Sequence, residues 1–442
     1  VFIKQTRHAK PTPGRRRLQF LALSVAALIL VSACGGAVTS PSGGGQASDA
    51  PSAPAPATPV ATVIGGGDVK VTEWDYYAAD PQQTAWGQLL ASCAEKTGIA
   101  IDRQAFPRDE LIQKVLLGAQ QGQLPGILQV DNPDLQQIAE TGALVPLTDF
   151  GVNTDGLYAN IVDAGSYEGN VYGVAPGING MALFYNRDLL EAAGVEPPTT
   201  WAEVKDAAAK LTKDDTYGIA FSAPGNEEGT WQFLPWFWGA GADLTKLDSP
   251  EAVQALQFWT DLVADGSASQ SVVQWSQGDV NDQFMAGKAA MQQNGVWNLG
   301  ALDENGINYG IVPLPNVDGG AAPGPMGGEV LTIPTTDEAT QTAAGKVVNC
   351  LLEDDSMQQW AELQNYIPSR ESLAQSIAAA NPNMKAFVDA AAAERSRPGP
   401  PANLGPKYGQ VSQALWTAIQ SSLSGGKSAQ DALTEAQTQA SQ

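Results

Sequence analysis

From Asp68 onward the apolar residues switch repeatedly between two spacings, and the switching predicts an α/β fold. "DVKVTEW" (68–74) alternates as a strand, and Gln83 to Lys96 then carries its apolar residues at helical intervals. "GIAIDRQAF" (98–106) reads as a strand, "RDELIQKVLLGAQQG" (108–122) as an amphipathic helix, and "LPGILQV" (124–130) as a buried strand. Strands separated by helices of this length predict a mostly parallel sheet covered on both faces. "YEGNVYGV" (167–174) predicts a hairpin turning at Gly169-Asn170. "MALFYN" (181–186) and "YGIAFS" (217–222) are further strands, with the helix "TTWAEVKDAAAKLT" (199–212) between them. Thr200 is placed to cap that helix, with Glu203 completing a capping box. "SPEAVQALQFWTDLVADG" (249–266) is another capped helix, and beyond "VLTIP" (330–334) nearly everything reads helical, with no internal repeat.

Upstream of Asp68 the pattern changes character. Residues 35–67 are almost entirely Gly, Ala, Ser, Pro, Thr and Val, a composition that cannot bury enough apolar area to offset ordering. The segment predicts a flexible tether with a reach of roughly 30 Å. Before it, six basic residues precede an apolar run, Phe20 to Ala33, that is shorter than the ~20 residues a membrane span needs. This is the layout of an export signal. Val31-Ser32-Ala33-Cys34 resembles the lipobox of bacterial lipoproteins, which implies cleavage after residue 33, acylation of Cys34 and display on the extracytoplasmic face of the cell membrane. The resulting organisation is a signal over 1–33 and a lipidated, flexible linker over 34–67.

Loss of the signal alters the available chemistry. The chain's single histidine, His8, lies within it, so serine triads, Cys-His dyads and imidazole zinc sites are excluded from the mature protein. No phosphate-cradling P-loop is present, and neither a metal nor a cofactor is expected. The formal charge of −23 becomes −29 once the six basic residues leave, which makes nucleic acid a poor partner. About 375 remaining residues exceed one ordinary core and suggest two lobes.

Several stretches together resemble one family. "DELIQKVLLGAQQGQLPGILQVDNPDLQQIAETGALVPL", "YGVAPGINGMALFYNRDLLEAAGVEPPTTWAEV", "FMAGKAAMQQNGVWNLG", "PGPMGGEVLTIP" and "NYIPSRESL" are similar, in order and spacing, to extracellular solute-binding proteins of sugar ABC transporters, the maltose-binding-protein-like group. The resemblance implies a type II periplasmic-binding-protein fold: two α/β lobes joined by a multi-segment hinge, with a ligand cleft between them. The expected lobes are 68–178 with 330–367, and 179–329 with 368–442. The implied protein is a monomer that binds a sugar, delivers it to permease subunits, and performs no chemistry.

The residue types fit sugar recognition. Eleven tryptophans stand beside only eleven phenylalanines, and an indole offers a flat face to a sugar ring and an N–H to a hydroxyl. Open α/β sheets bind ligands beyond the C-terminal ends of their strands. Trp74-Asp75-Tyr76 closes the first strand. Asp131-Asn132 follows "LPGILQV" and serves either a turn or, as the resemblance implies, the ligand. Asn179 is a polar contact on the first crossing segment or a turn residue. By the same resemblance Trp231 and Trp297 are stacking platforms, while Trp236, Trp238 and Trp259 read as core. Gly327, Gly328 and Glu329 open the second crossing, where glycine lets backbone approach a ligand. Arg370 follows the third crossing, as a ligand contact or an ion-pair partner. Maltose-binding proteins stack a further C-terminal tryptophan on the sugar; here Tyr408 lies a turn before a small polar residue at the matching position, and Trp416 is out of phase. The family fold also brings the helices of Cys93 and Cys350 onto one lobe, so the two either form a disulfide or remain buried free thiols. A surface glycoside hydrolase using paired carboxylates, and the same fold holding a non-sugar solute, are the rival functions.

Overall fold

The computed structural model describes residues 60–442. The signal, Cys34 and most of the tether lie outside the described residues. The strands in chain order are β1 Val60–Ile64, β2 Val69–Asp75, β3 Ile99–Ala105, β4 Ile127–Asp131, β5 Ser166–Tyr167, β6 Asn170–Val171 and β7 Gly173–Val174. They continue with β8 Gly177–Ile178, β9 Met181–Asn186, β10 Tyr217–Ala220, β11 Ala289–Gly295, β12 Tyr309–Val312, β13 Glu329–Thr332 and β14 Ile367–Pro368.

Two sheets organise two lobes. The first runs β1-β3-β2-β4-β13-β7 and the second β10-β11-β9-β12. The expectation of mostly parallel sheets needs correction. Only β3-β2-β4 and β10-β11 pair in parallel; the other neighbours are antiparallel. The cause lies in the crossings: β13 enters the first sheet from the other lobe rather than through a local helix, so it runs against β4. That direction sets Glu329, the first residue of β13, opposite Asp131, the last of β4.

Two local expectations also shift. The tether ends earlier than residue 67, because Val60–Ile64 pairs antiparallel with Ile101–Ala105. Four of its five residues are β-branched, which suits an edge strand where the preceding Gly, Ser and Pro do not. The hairpin turns on Glu168 and Gly169, not on Gly169-Asn170, since those two residues carry the positive φ values of 47° and 82° that a tight hairpin requires.

Helices cover the sheets as their caps and apolar faces dictate. Thr200 and Glu203 form the capping box at the helix Trp201–Leu211, and Ser249 caps Pro250–Ala264. In the first lobe Trp86, Leu89, Leu90 and Cys93 of the helix Gln82–Thr97 pack on Val347, Val348 and Cys350 of Glu338–Leu351. The Cys93 and Cys350 sulfurs are bonded there, with the Cα atoms 5.8 Å apart. In the second lobe Trp259, fully buried, stacks on Phe221 at 4.2 Å between ring centroids, and Trp236 stacks on Phe258 at 4.9 Å.

Three segments cross between the lobes side by side. β8 pairs with β14, and Asn179 bridges to Gly327. Gly327 and Gly328 permit this approach. A Cβ on Gly327 would lie 1.9 Å from Asn179 Oδ1, and Gly328 sits at φ 103° with Ile178 Cα 3.1 Å from where its Cβ would be. A fourth stretch, Glu394–Arg397, runs beside the second crossing through Arg395 N–H to Gly324 O at 2.9 Å and Met326 N–H to Arg395 O at 2.9 Å.

Candidate functional site

Between the lobes lies a cavity of about 320 Å³, at the small end of the range for ligand pockets. It opens where β2, β4 and β11 end, beyond their C-terminal ends as expected of open α/β sheets.

The first-lobe wall is a closed hydrogen-bond network. β2 runs into Tyr76 and Tyr77, and both hydroxyls donate to Glu329, Tyr76 to Oε1 at 2.6 Å and Tyr77 to Oε2. Beneath them Asp75, fully buried, accepts from the Tyr77 N–H at 2.7 Å and from Arg103 Nε at 2.6 Å. Arg103 also donates to the Tyr77 carbonyl at 3.2 Å, so the buried ion pair fixes the tyrosine loop. Burial pushes the Glu329 carboxyl up to about 7, with the two tyrosine donors opposing the rise and the Asp131 charge adding to it.

The second-lobe wall is aromatic. Asn226 caps the helix Glu227–Gly239, which carries Trp231 to the cavity. Trp297 follows β11 in a short turn and folds back over its own strand: a Cβ on Gly295 would lie 1.9 Å from the Trp297 ring. The two indoles stand 5.7 Å apart at 32°. Trp231 Nε1 is buried and has no partner among the described residues.

Arg397 ties the walls together. Its guanidinium, 2 % exposed, donates to Asp131 Oδ1 at 2.7 Å in the first lobe and to Glu227 Oε1 at 2.7 Å in the second. Glu227 is held in turn by the Tyr408 hydroxyl at 2.6 Å and by Ser412. Arg108 completes the rim, bonded to Asp134 at 2.7 Å and reaching Asp131 at 3.5 Å.

Of the residues singled out from the sequence, Tyr76, Asp131, Asn179, Trp231, Trp297, Gly327, Gly328 and Glu329 line this cavity. Five do not. Trp74 turns into the first-lobe core against Phe106, ring centroids 5.7 Å apart, with the Lys114 ammonium over its face. Asp75 lies behind the tyrosines. Asn132 spends its amide on the carbonyls of Met326 at 3.2 Å and Gly328 at 2.9 Å, pinning the second crossing. Arg370 pairs with Asp354 at 2.6 Å and with the Asp155 carbonyl at 2.6 Å, away from the cavity. Tyr408 sits one layer out, on Glu227. Sequence reasoning missed Tyr77, Arg108, Glu227, Glu228, Gln277, Tyr366 and Arg397, all of which line the cavity. Tyr77 carries a signal, adjacency to Tyr76 at a strand end; Arg397 carries none, since its partners lie 170 and 266 residues away.

Comparison with known proteins agrees with this geometry. Residues 88–386 match the family described as bacterial extracellular solute-binding protein. A maltotriose-binding protein of Pyrococcus abyssi is 26% identical over 300 residues, covering 64% of this chain and 61% of that protein. An ABC transporter solute-binding protein of Thermotoga lettingae, solved with α-D-tagatose, superposes with a TM-score of 0.75 at 25% identity, over 84% of this chain and 99% of the other. The GacH receptor of Streptomyces glaucescens, solved unliganded and with acarbose, gives 0.71 at 25% identity, over 84% and 96%.

Proposed function

This chain belongs to the bacterial extracellular solute-binding protein family, and from that premise we propose that it is the substrate-binding component of an ABC importer, closing its two lobes on a mono- or oligosaccharide and handing it to the permease. Cys34, acylated, would hold it on the extracytoplasmic face of the membrane, because two acyl chains suffice for stable anchoring where one does not. The observation that carries the sugar reading is the tilted pair Trp231 and Trp297, facing a wall of carboxylate, amide and tyrosine groups across a small cavity. Indole faces take the C–H face of a sugar ring, and the polar wall offers acceptors and donors for vicinal hydroxyls. The Trp231 N–H, without a partner among the described residues, is a donor suited to one such hydroxyl. Relatives that bind maltotriose, tagatose and acarbose support the same ligand class.

Binding without chemistry is favoured by how the carboxylates are held. Both Asp131 oxygens accept from Arg397, Glu227 accepts from three side chains, and Glu329 from two tyrosines. Acids so engaged are poorly placed to cycle a proton through a glycosidic oxygen. A thermal-shift screen of the full chain against mono- and oligosaccharides tests the reading. A true ligand at a hundred times its Kd adds roughly 2.7 kcal/mol of stability. Stabilisation with the sugar recovered intact supports a receptor; breakdown of an oligosaccharide in the same tubes overturns it.

A further inference from the structure

The charges around the cavity do not balance. Among the described residues, four carboxyl groups and two guanidinium groups line it, and no lysine does. Both guanidinium groups are engaged with acids, Arg397 with Asp131 and Glu227, and Arg108 with Asp134 and Asp131. That leaves Glu228 and Glu329, neither of which is in an ion pair among the described residues. Glu228 bonds the Ser222 hydroxyl at 2.7 Å and the Gln277 N–H at 2.8 Å, and Glu329 bonds the two tyrosine hydroxyls. All of these donors are neutral.

We propose that the ligand is an aminated sugar, whose ammonium group supplies the positive charge that Glu228 and Glu329 lack. The inference rests on the sugar reading above and narrows it. Carboxylates taken from water without a counter-charge are costly, and burial raises both groups above the usual carboxylate range. An arriving cation relieves that cost, and the faces of Trp231 and Trp297 add cation–π attraction. A uronic acid or sugar phosphate would meet the same two unpaired acids and be repelled, since both arginines are already neutralised.

The test is a titration of the full chain with matched triplets: glucose, glucosamine and N-acetylglucosamine; galactose and its two counterparts; cellobiose, chitobiose and N,N′-diacetylchitobiose. Glucuronic acid and spermidine serve as charged controls. Charge-assisted hydrogen bonds predict that the amine binds about tenfold or more tighter than its neutral and N-acetylated partners in at least one triplet. In Glu228→Gln the ratio of amine to neutral affinity should fall toward one. Should that variant fail to fold, the wild-type triplets decide alone. Neutral sugars binding as tightly as their amines, or glucuronic acid binding tighter, overturns the proposal and leaves the sugar reading standing. Binding of spermidine without any sugar, or of no probe at all, overturns both.

Discussion

On the first-lobe wall of the cleft, the polar groups are already satisfied by one another: two tyrosines on Glu329, Arg103 on Asp75, and Arg397 on Asp131. On the second-lobe wall two indoles meet the cavity, and the Trp231 N–H is left without a partner among the described residues. One wall is pre-organised and tolerates little change, because removing one member of a buried network strands the others. The other offers apolar area and an open donor. Stability is therefore expected to depend on the network, and affinity on the indoles.

The largest effects should come from the buried core and from the ion-pair network that joins the two walls. Trp259→Ala removes a fully buried ring stacked on Phe221, and a loss of about 3–5 kcal/mol in denaturant unfolding is expected, with little change in affinity for the protein that remains folded. Arg397→Ala removes the guanidinium that Asp131 and Glu227 share and leaves Glu227 buried without an ion-pair partner among the described residues, at a cost of about 3–5 kcal/mol. Arg397→Lys should recover little of it, because one ammonium cannot reproduce the forked contact with Asp131 and Glu227. Full stability in Arg397→Ala, read from the same unfolding curves, would show that the network does not hold that wall.

Glu329 gives a smaller and pH-dependent effect. Its folded-state value of about 7 lies above that of an unfolded glutamate, so the folded protein binds the proton more tightly. This group's contribution is therefore most favourable below pH 4.5 and is lost as pH rises to about 7, by at most about 3 kcal/mol. Melting temperatures of the wild type and Glu329→Gln, compared at pH 5 and pH 8, should diverge, with the wild type falling further at the higher pH. Parallel curves would mean that the carboxyl is not held in this way.

The same contrast bears on what the sequence could tell. The capping box at Thr200 and Glu203 and the helical period around Trp259 are local, and they are found where the pattern puts them. Trp231 and Trp297 are reachable only through resemblance, since nothing local distinguishes a cleft indole from a core one. Trp74 shows why. The end of β2 is buried on both faces, so alternation there does not say which face meets the cavity. Asn132 and Arg370 are polar residues beside crossings that spend their donors on backbone carbonyls and a distant acid, and spacing cannot reveal that. The sheet directions are hidden for a similar reason, because β13 arrives from the other lobe.

That the ligand rests on the indole wall is tested most directly by calorimetric titration of the wild type and Trp297→Ala with the sugar that most stabilises the wild type. Losing a stacking face of this size should weaken binding by about 1.5–3 kcal/mol, more than tenfold in Kd, while the melting temperature of the unliganded chain changes little. Binding within twofold of the wild type would contradict the claim that this indole is the platform on which the ligand rests.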